Sequence, residues 1–141
     1  MKISTRGRYG LLAMVDIASQ NNEESIKLKS IAERQGISEN YLEQLIAVLK
    51  KAGFVKSVRG SKGGYLLDKR PEDISVGDIL RVLEGSLYPV ECVSDEGEAS
   101  CGEADCESCV TKGVWEKMYE SLSDVVDSIS IRDLVEMKVD G

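Results

Sequence analysis

Ile37-Ser38-Glu39-Asn40-Tyr41-Leu42-Glu43-Gln44-Leu45-Ile46-Ala47-Val48-Leu49-Lys50-Lys51-Ala52, followed by Gly53-Phe54-Val55-Lys56-Ser57-Val58-Arg59-Gly60-Ser61-Lys62-Gly63-Gly64-Tyr65-Leu66-Leu67, is the stretch on which the fold turns. Leu42, Leu45, Ile46 and Leu49 recur at helical spacing, which predicts a helix over about Glu39 to Ala52 with one apolar stripe. Ser38 stands where its side chain can accept from an orphan amide of the first turn. Phe54 to Val58 then alternates like a strand, and Tyr65-Leu66-Leu67 can return as its partner. Between the two strands lies Arg59-Gly60-Ser61-Lys62-Gly63-Gly64, a basic, glycine-rich tip in which glycine permits unusual backbone angles.

Upstream, Ile31 and Ala32 point a shorter helix, about Lys29 to Gln35, toward the same core. Gly36-Ile37-Ser38 makes the tight turn between the two. Two short helices around a glycine-containing turn form a helix-turn-helix, and a hairpin with a cationic tip directly after it reads as a wing. An earlier helix, about Thr5 to Ser19, carries Tyr9, Leu12 and Val15 with Leu11, Met14 and Ala18 at spacings of three and four, and Asn21-Asn22 closes it. Gly7 and Gly10 weaken its start; close packing or a neighbouring phosphate backbone explains such glycines.

Charge is divided along the chain. The total of −7 over 141 residues averages residues 1–71, with 13 Lys and Arg against 7 Asp and Glu, and residues 72–141, with 5 against 18. The basic half suits phosphates and the acidic half avoids them. A helix about 12 Å across fits the major groove, where each base pair shows its own donor and acceptor pattern. Asn40, Tyr41, Glu43 and Gln44 are the expected base-facing positions, with Ser38 and Gly60 at the cap and the tip. Arg6, Arg8 and Lys62 suit phosphates, and Arg59 on a slim tip suits a minor groove.

Pro71 breaks the chain, and Ser75 with Asp78 begins a helix through about Leu83. Residues 85–111 show no periodicity and contain all four cysteines, Cys92, Cys101, Cys106 and Cys109. Trp115, Met118, Leu122, Val125 and Ile129 then follow a 3-4-3-4 spacing, read as the seam of a helix paired in a homodimer. Ser130 and Asp133 start a short last helix with Ile131, Leu134 and Val135. The expected architecture is mainly α with a small β-hairpin wing. It divides into a winged helix-turn-helix domain (1–71), a linking helix with a cysteine-rich cluster-binding loop (72–111), and a dimerisation helix with a short C-terminal helix (112–141). A two-fold dimer presents two recognition helices roughly 34 Å apart to a pseudo-palindromic stretch of double-stranded DNA.

The cysteines are spaced C-x8-C-x4-C-x2-C. The last three match the C-x4-C-x2-C run of plant-type 2Fe–2S ferredoxins, whereas the two-knuckle zinc pattern is missing. Between Arg81 and Lys112 there is no basic residue but there are eight acidic ones. Thiolates there repel these carboxylates and each other, and a bound cation or cationic cluster relieves that repulsion. An iron–sulfur cluster, zinc, a reversible disulfide and inert thiols are all compatible, and the cluster is the preferred reading. No segment approaches the roughly 20 apolar residues of a membrane span, and no secretory signal is evident, so a cytoplasmic location with no membrane partner is expected. No nucleophile motif, phosphate-binding loop or histidine points to catalysis.

Ser4-Thr5-Arg6-Gly7-Arg8-Tyr9-Gly10, Ile37 to Leu45 and Val58 to Leu66 resemble, nearly end to end and in this order, the IscR-like (Rrf-two) family of bacterial transcription regulators. The resemblance implies a dimeric winged-helix regulator, most often a repressor, of iron–sulfur assembly, cysteine metabolism or nitrosative stress genes. In its cluster-binding branch three cysteines and a histidine are the ligands. Cys92, Cys101 and Cys109 match those cysteines by position. Lys112 stands where the histidine would be, and Cys106 is the obvious substitute, which leaves the fourth ligand and the cluster type open. The sister branch of CymR-like cysteine-metabolism repressors generally lacks this cysteine set and is the alternative, together with a thiol- or zinc-based redox sensor. An electron carrier shares the cysteines but gives no reason for a basic wing.

Overall fold

The computed structural model describes residues 2–20, 24–90 and 109–136. Its helices are α1 (Thr5–Ser19), α2 (Leu28–Gln35), α3 (Glu39–Lys51), α4 (Val76–Glu84), α5 (Lys112–Ser128) and α6 (Ile131–Val135). Strands β1 (Val55–Val58) and β2 (Gly64–Leu67) form the hairpin, and Pro71–Asp73 makes one 3-10 turn. The closing residues Asn21 and Asn22 lie outside the described residues; α1 ends at Ser19 and Gln20 is already extended.

Local chemistry sets most boundaries. Ser38 caps α3 by accepting from the Tyr41 amide at 3.1 Å. Gly36 ends α2 in the left-handed conformation (φ 67°), a backbone state that costs a residue with a Cβ more. Ser75 with Asp78 and Ser130 with Asp133 form reciprocal capping boxes at α4 and α6. The hairpin is antiparallel, with Val55 opposite Leu67 and Val58 opposite Gly64. A third chain segment joins it: the Ile26 and Tyr65 backbones exchange hydrogen bonds of 2.9 and 2.8 Å.

The main core gathers Met14 and Ile17 of α1, Ile31 of α2, and Leu42, Leu45, Ile46 and Leu49 of α3. Phe54, Val55, Ile74, Ile79, Leu83 and Ile131 join them, with Ala13, Ala18 and Ala32 between. Residues beyond 71 are therefore integral to the core of the winged unit. Gly7 and Gly10 owe their presence to packing, because a Cβ at Gly7 would strike the Glu84 carboxylate and one at Gly10 the Leu83 side chain. α4 lies that close to α1.

A second apolar cluster, Val76, Leu80, Leu87 and Val126, seats α5 on α4, with Tyr119, Leu122 and Ile129 packed against it. This corrects the expected seam. Leu122 and Ile129 turn toward the protein's own core, and Val114, Met118 and Val125 are the exposed large apolar residues of α5. Ile129 is extended rather than helical, because its carbonyl accepts from the Val76 amide at 2.8 Å.

Arg81 and Asp127 close the α4–α5 contact with two hydrogen bonds of 2.6 and 2.9 Å. The hydrogen bond from Arg81 holds the Asp127 carboxyl below the ordinary carboxylate range. The ionised form thus adds stability above that range, and the contribution is lost as pH falls through the lowered value. Both side chains are partly exposed, which limits the effect to about 1 kcal/mol or less. Asp127→Asn should lower stability slightly at pH 7 and flatten the decline below about pH 4. Thermal melts from pH 7 to pH 3 measure this, and parallel curves for the two proteins would refute it.

Candidate nucleic-acid interface and cysteine segment

The candidate face is built on α3, whose apolar stripe is buried and whose opposite side is open. Asn40, Glu43 and Gln44 are exposed on the first two turns, beside the exposed cap Ser38. Tyr41 differs from the expectation of a freely exposed base-reading side chain. It is half-buried, and its ring meets Tyr9 of α1 edge-on at 6.3 Å between centroids. Tyr9 thereby brings the start of α1, with exposed Arg6 and Arg8, alongside the start of α3.

The wing carries Arg59, Gly60 and Lys62 on its exposed tip. Gly60 has φ 109°, and its carbonyl accepts from Gly63 at 2.9 Å. Ser25 donates to the Lys62 carbonyl at 2.5 Å, and the Lys50 ammonium of α3 donates to Ser57 of β1 at 2.9 Å. Backbone and side-chain bonds thus tie the wing to α3 and to the segment that leads into α2, leaving the Arg59 and Lys62 side chains outward. Guanidinium and ammonium groups on a slender tip, next to amide and carboxylate groups on a helix of groove width, are the chemistry needed for duplex phosphates and base edges.

One polar group beneath this face has no periodic signal in the sequence. Asp16 of α1 is 7% exposed. It accepts from Arg34 Nε at 2.9 Å and Nη2 at 2.6 Å, and from Gln35 Nε2 at 3.0 Å. That hydrogen bond raises the Arg34 pKa above its ordinary value, so the guanidinium stays charged. The cluster ties α1 to the last turn of α2, directly before the turn into α3.

Of the candidate metal ligands, Cys92, Cys101 and Cys106 lie outside the described residues. Cys109 is exposed two residues before the α5 N-cap, with Sγ 3.4 Å from Thr111 Oγ1. Lys112, at the position expected for a histidine, reaches Glu116 one turn on at 3.9 Å. Among the described residues no group of three His, Cys, Asp or Glu side chains is disposed to hold a metal ion, and no helix is long and apolar enough to cross a membrane.

Residues 3–137 match the model of the Rrf2 family, described as iron-dependent transcriptional regulators. The chain belongs to that family. Rrf2 relatives cover it nearly end to end. The HTH-type transcriptional regulator CymR of Bacillus subtilis is 44% identical over 134 residues, 95% of this chain and 89% of CymR. The solved structure of CymR, the global cysteine regulator of B. subtilis, superposes with a TM-score of 0.81 at 41% identity, covering 99% of each chain. That of T. potens IscR superposes at 0.79 with 51% identity, covering 99% of this chain and 89% of IscR. The winged-helix fold and the role of transcription regulator follow for this Rrf2 member, and the relatives are named as regulators, not as enzymes.

Proposed function

We propose that this chain is a homodimeric repressor-type regulator whose affinity for a pseudo-palindromic operator is set by an iron–sulfur cluster. Cys92, Cys101 and Cys109 are its ligands, and Cys106 takes the place of the histidine that the chain lacks. The observation that carries this reading is the gathering of four thiols within 18 residues between α4 and α5, in a family described as iron-dependent. The donor set fits the group, since soft thiolates select iron–sulfur clusters or zinc, and the surrounding carboxylates favour a cationic occupant. When bound, the cluster supplies a state that exists only while iron and sulfide are available. This chain's own part is to tie that state to α5 through Cys109 and to α4 through Leu87.

Asn40, Glu43 and Gln44 read bases, with Ser38 and Tyr41 beside them. Arg6, Arg8 and Lys62 grip phosphates, and Arg59 with Gly60 enters the minor groove. The second copy covers Val114, Met118 and Val125, an apolar row at spacings of four and seven along α5 that the protein's own core leaves open. The setting for this chemistry is the cytosol.

A second reading, a cysteine-responsive or zinc-bearing thiol regulator without a cluster, is favoured by the likeness to CymR. An anaerobic visible spectrum separates the two. The cluster reading expects a coloured protein whose operator affinity changes when the chromophore is removed, and expects Cys109→Ala to abolish both the colour and the change. A colourless, zinc-bearing or metal-free protein whose operator affinity responds to thiol oxidation would replace it with the second reading.

A further inference from the structure

Glu84 closes α4 and reaches the first turn of α1. Its Oε1 accepts from the Ser4 amide at 3.0 Å and from the Ser4 hydroxyl at 2.6 Å. The Ser4 oxygen in turn accepts from the Gly7 amide at 3.4 Å, capping the helix. Gly7 leaves the room this carboxylate occupies, and Leu83 fills the corresponding space over Gly10. One polar and one apolar contact therefore seat the first two turns of α1 on the end of α4. A carboxylate at a helix N-terminus also matches the positive end of the helix dipole.

The turn fixed in this way carries Arg6 and Arg8, both exposed, with Tyr9 abutting Tyr41 of the recognition helix. Directly after Glu84, Leu87 is buried in the cluster beneath α5 and Tyr88 packs on Tyr119 at 4.7 Å. Glu84 thus stands where α1, α4 and α5 meet. We propose that Glu84 is a positioning residue for DNA binding: by fixing Ser4 it holds Arg6 and Arg8 in the register at which they meet the phosphate backbone. The inference rests on the reading above that these two arginines contact phosphates.

Salt dependence tests it, because each phosphate contact contributes about 0.9 to the slope of log affinity against log salt on duplex DNA. The probe is a duplex enriched by the full wild-type chain from a random-sequence pool, and thermal melts accompany each variant. The double change Arg6→Ala/Arg8→Ala removes two contacts from each protomer of the dimer and should make the slope shallower by about 3.6. Glu84→Ala should lose a comparable amount, lose nothing further when combined with that pair, and add to the separate loss from Arg59→Ala. Glu84→Gln keeps the accepting oxygen and should retain the wild-type slope. Where Glu84→Ala folds poorly, Ser4→Ala is the substitute and should behave the same way.

A wild-type slope for Glu84→Ala, losses that add to those of the arginine pair, or a Glu84→Gln as impaired as alanine would each overturn the proposal. An unchanged slope for the arginine pair alongside a reduced one for Arg59→Ala would overturn it while leaving the DNA-binding reading intact. Failure of the wild-type chain to enrich any sequence would instead remove that reading itself, and the proposal with it.

Discussion

Alanine at Gly64 should lower the melting temperature by about 10 °C and weaken DNA binding together with it. Gly64 opens β2 where the Ile26 backbone crosses, and a Cβ there would overlap the Ile26 carbonyl and press on the Lys27 amide nitrogen at 3.0 Å. These are backbone atoms, so no side-chain rotation relieves the clash. Relief requires β2 to move away from Ile26, which breaks the paired hydrogen bonds between Ile26 and Tyr65 and loosens the Ser25 contact to the Lys62 carbonyl. Overpacking costs about 1–3 kcal/mol and each lost hydrogen bond about 1 kcal/mol. Because the movement that breaks the bonds also relieves the clash, the two costs trade off rather than add, and roughly 2–4 kcal/mol is expected, equivalent to some 10 °C for a chain of this size. Gly113→Ala is the matched control. Nothing stands within 4 Å of a Cβ there, and in the first turn of α5 alanine should leave stability unchanged or raise it by up to about 1 kcal/mol. A Gly64→Ala protein melting within 2 °C of wild type would show that the wing is not anchored at Ile26.

The second large effect is expected at Arg34. Arg34→Met removes three of the four hydrogen bonds that the nearly buried Asp16 carboxylate receives and leaves it with Gln35 alone. Stranding a fully buried charge costs about 3–5 kcal/mol. Arg34 is itself 43% exposed, so water can partly replace it, and about 2–3 kcal/mol is the expected loss in denaturant unfolding. Asp16→Asn in the same chain should recover much of that loss, because no charge is then left without its partner. A loss below 0.5 kcal/mol for Arg34→Met, or no recovery in the double variant, would mean that the cluster contributes little to joining α1 and α2.

The parts of this fold that were legible beforehand are those encoded locally. The stripe of Leu42, Leu45, Ile46 and Leu49 lies in the core, and Ser38, Ser75 and Ser130 all cap the helices they precede, because periodicity and capping depend on neighbours three or four residues away. Arg59 and Lys62 sit on an exposed tip for the same kind of reason. The unread features pair residues far apart in the chain. Asp16 with Arg34 and Ser4 with Glu84 are polar contacts between helices, 18 and 80 residues apart, and neither leaves a repeating pattern. The seam on α5 failed differently. Its spacing was real, but spacing does not say which side is already covered, and α4 takes Leu122 and Val126 while Met118 and Val125 stay outside. Gly7 and Gly10 admitted two explanations, and only the approach of Leu83 and Glu84 decides between them. For Cys92, Cys101 and Cys106 the sequence supplies chemistry without geometry.

The return of the chain after α5 bears on how the protein is made. Ile131 is fully enclosed in the main core, its amide bonded to the Ile74 carbonyl at 2.8 Å, and α6 packs against α1, more than a hundred residues earlier. Closing contacts over such sequence separations slows folding, and synthesis proceeds at only about 5–20 residues per second. The apolar faces of α1 and α3 therefore wait several seconds for their last cover after emerging from the ribosome, an interval in which a nascent chain is open to chaperones and to aggregation.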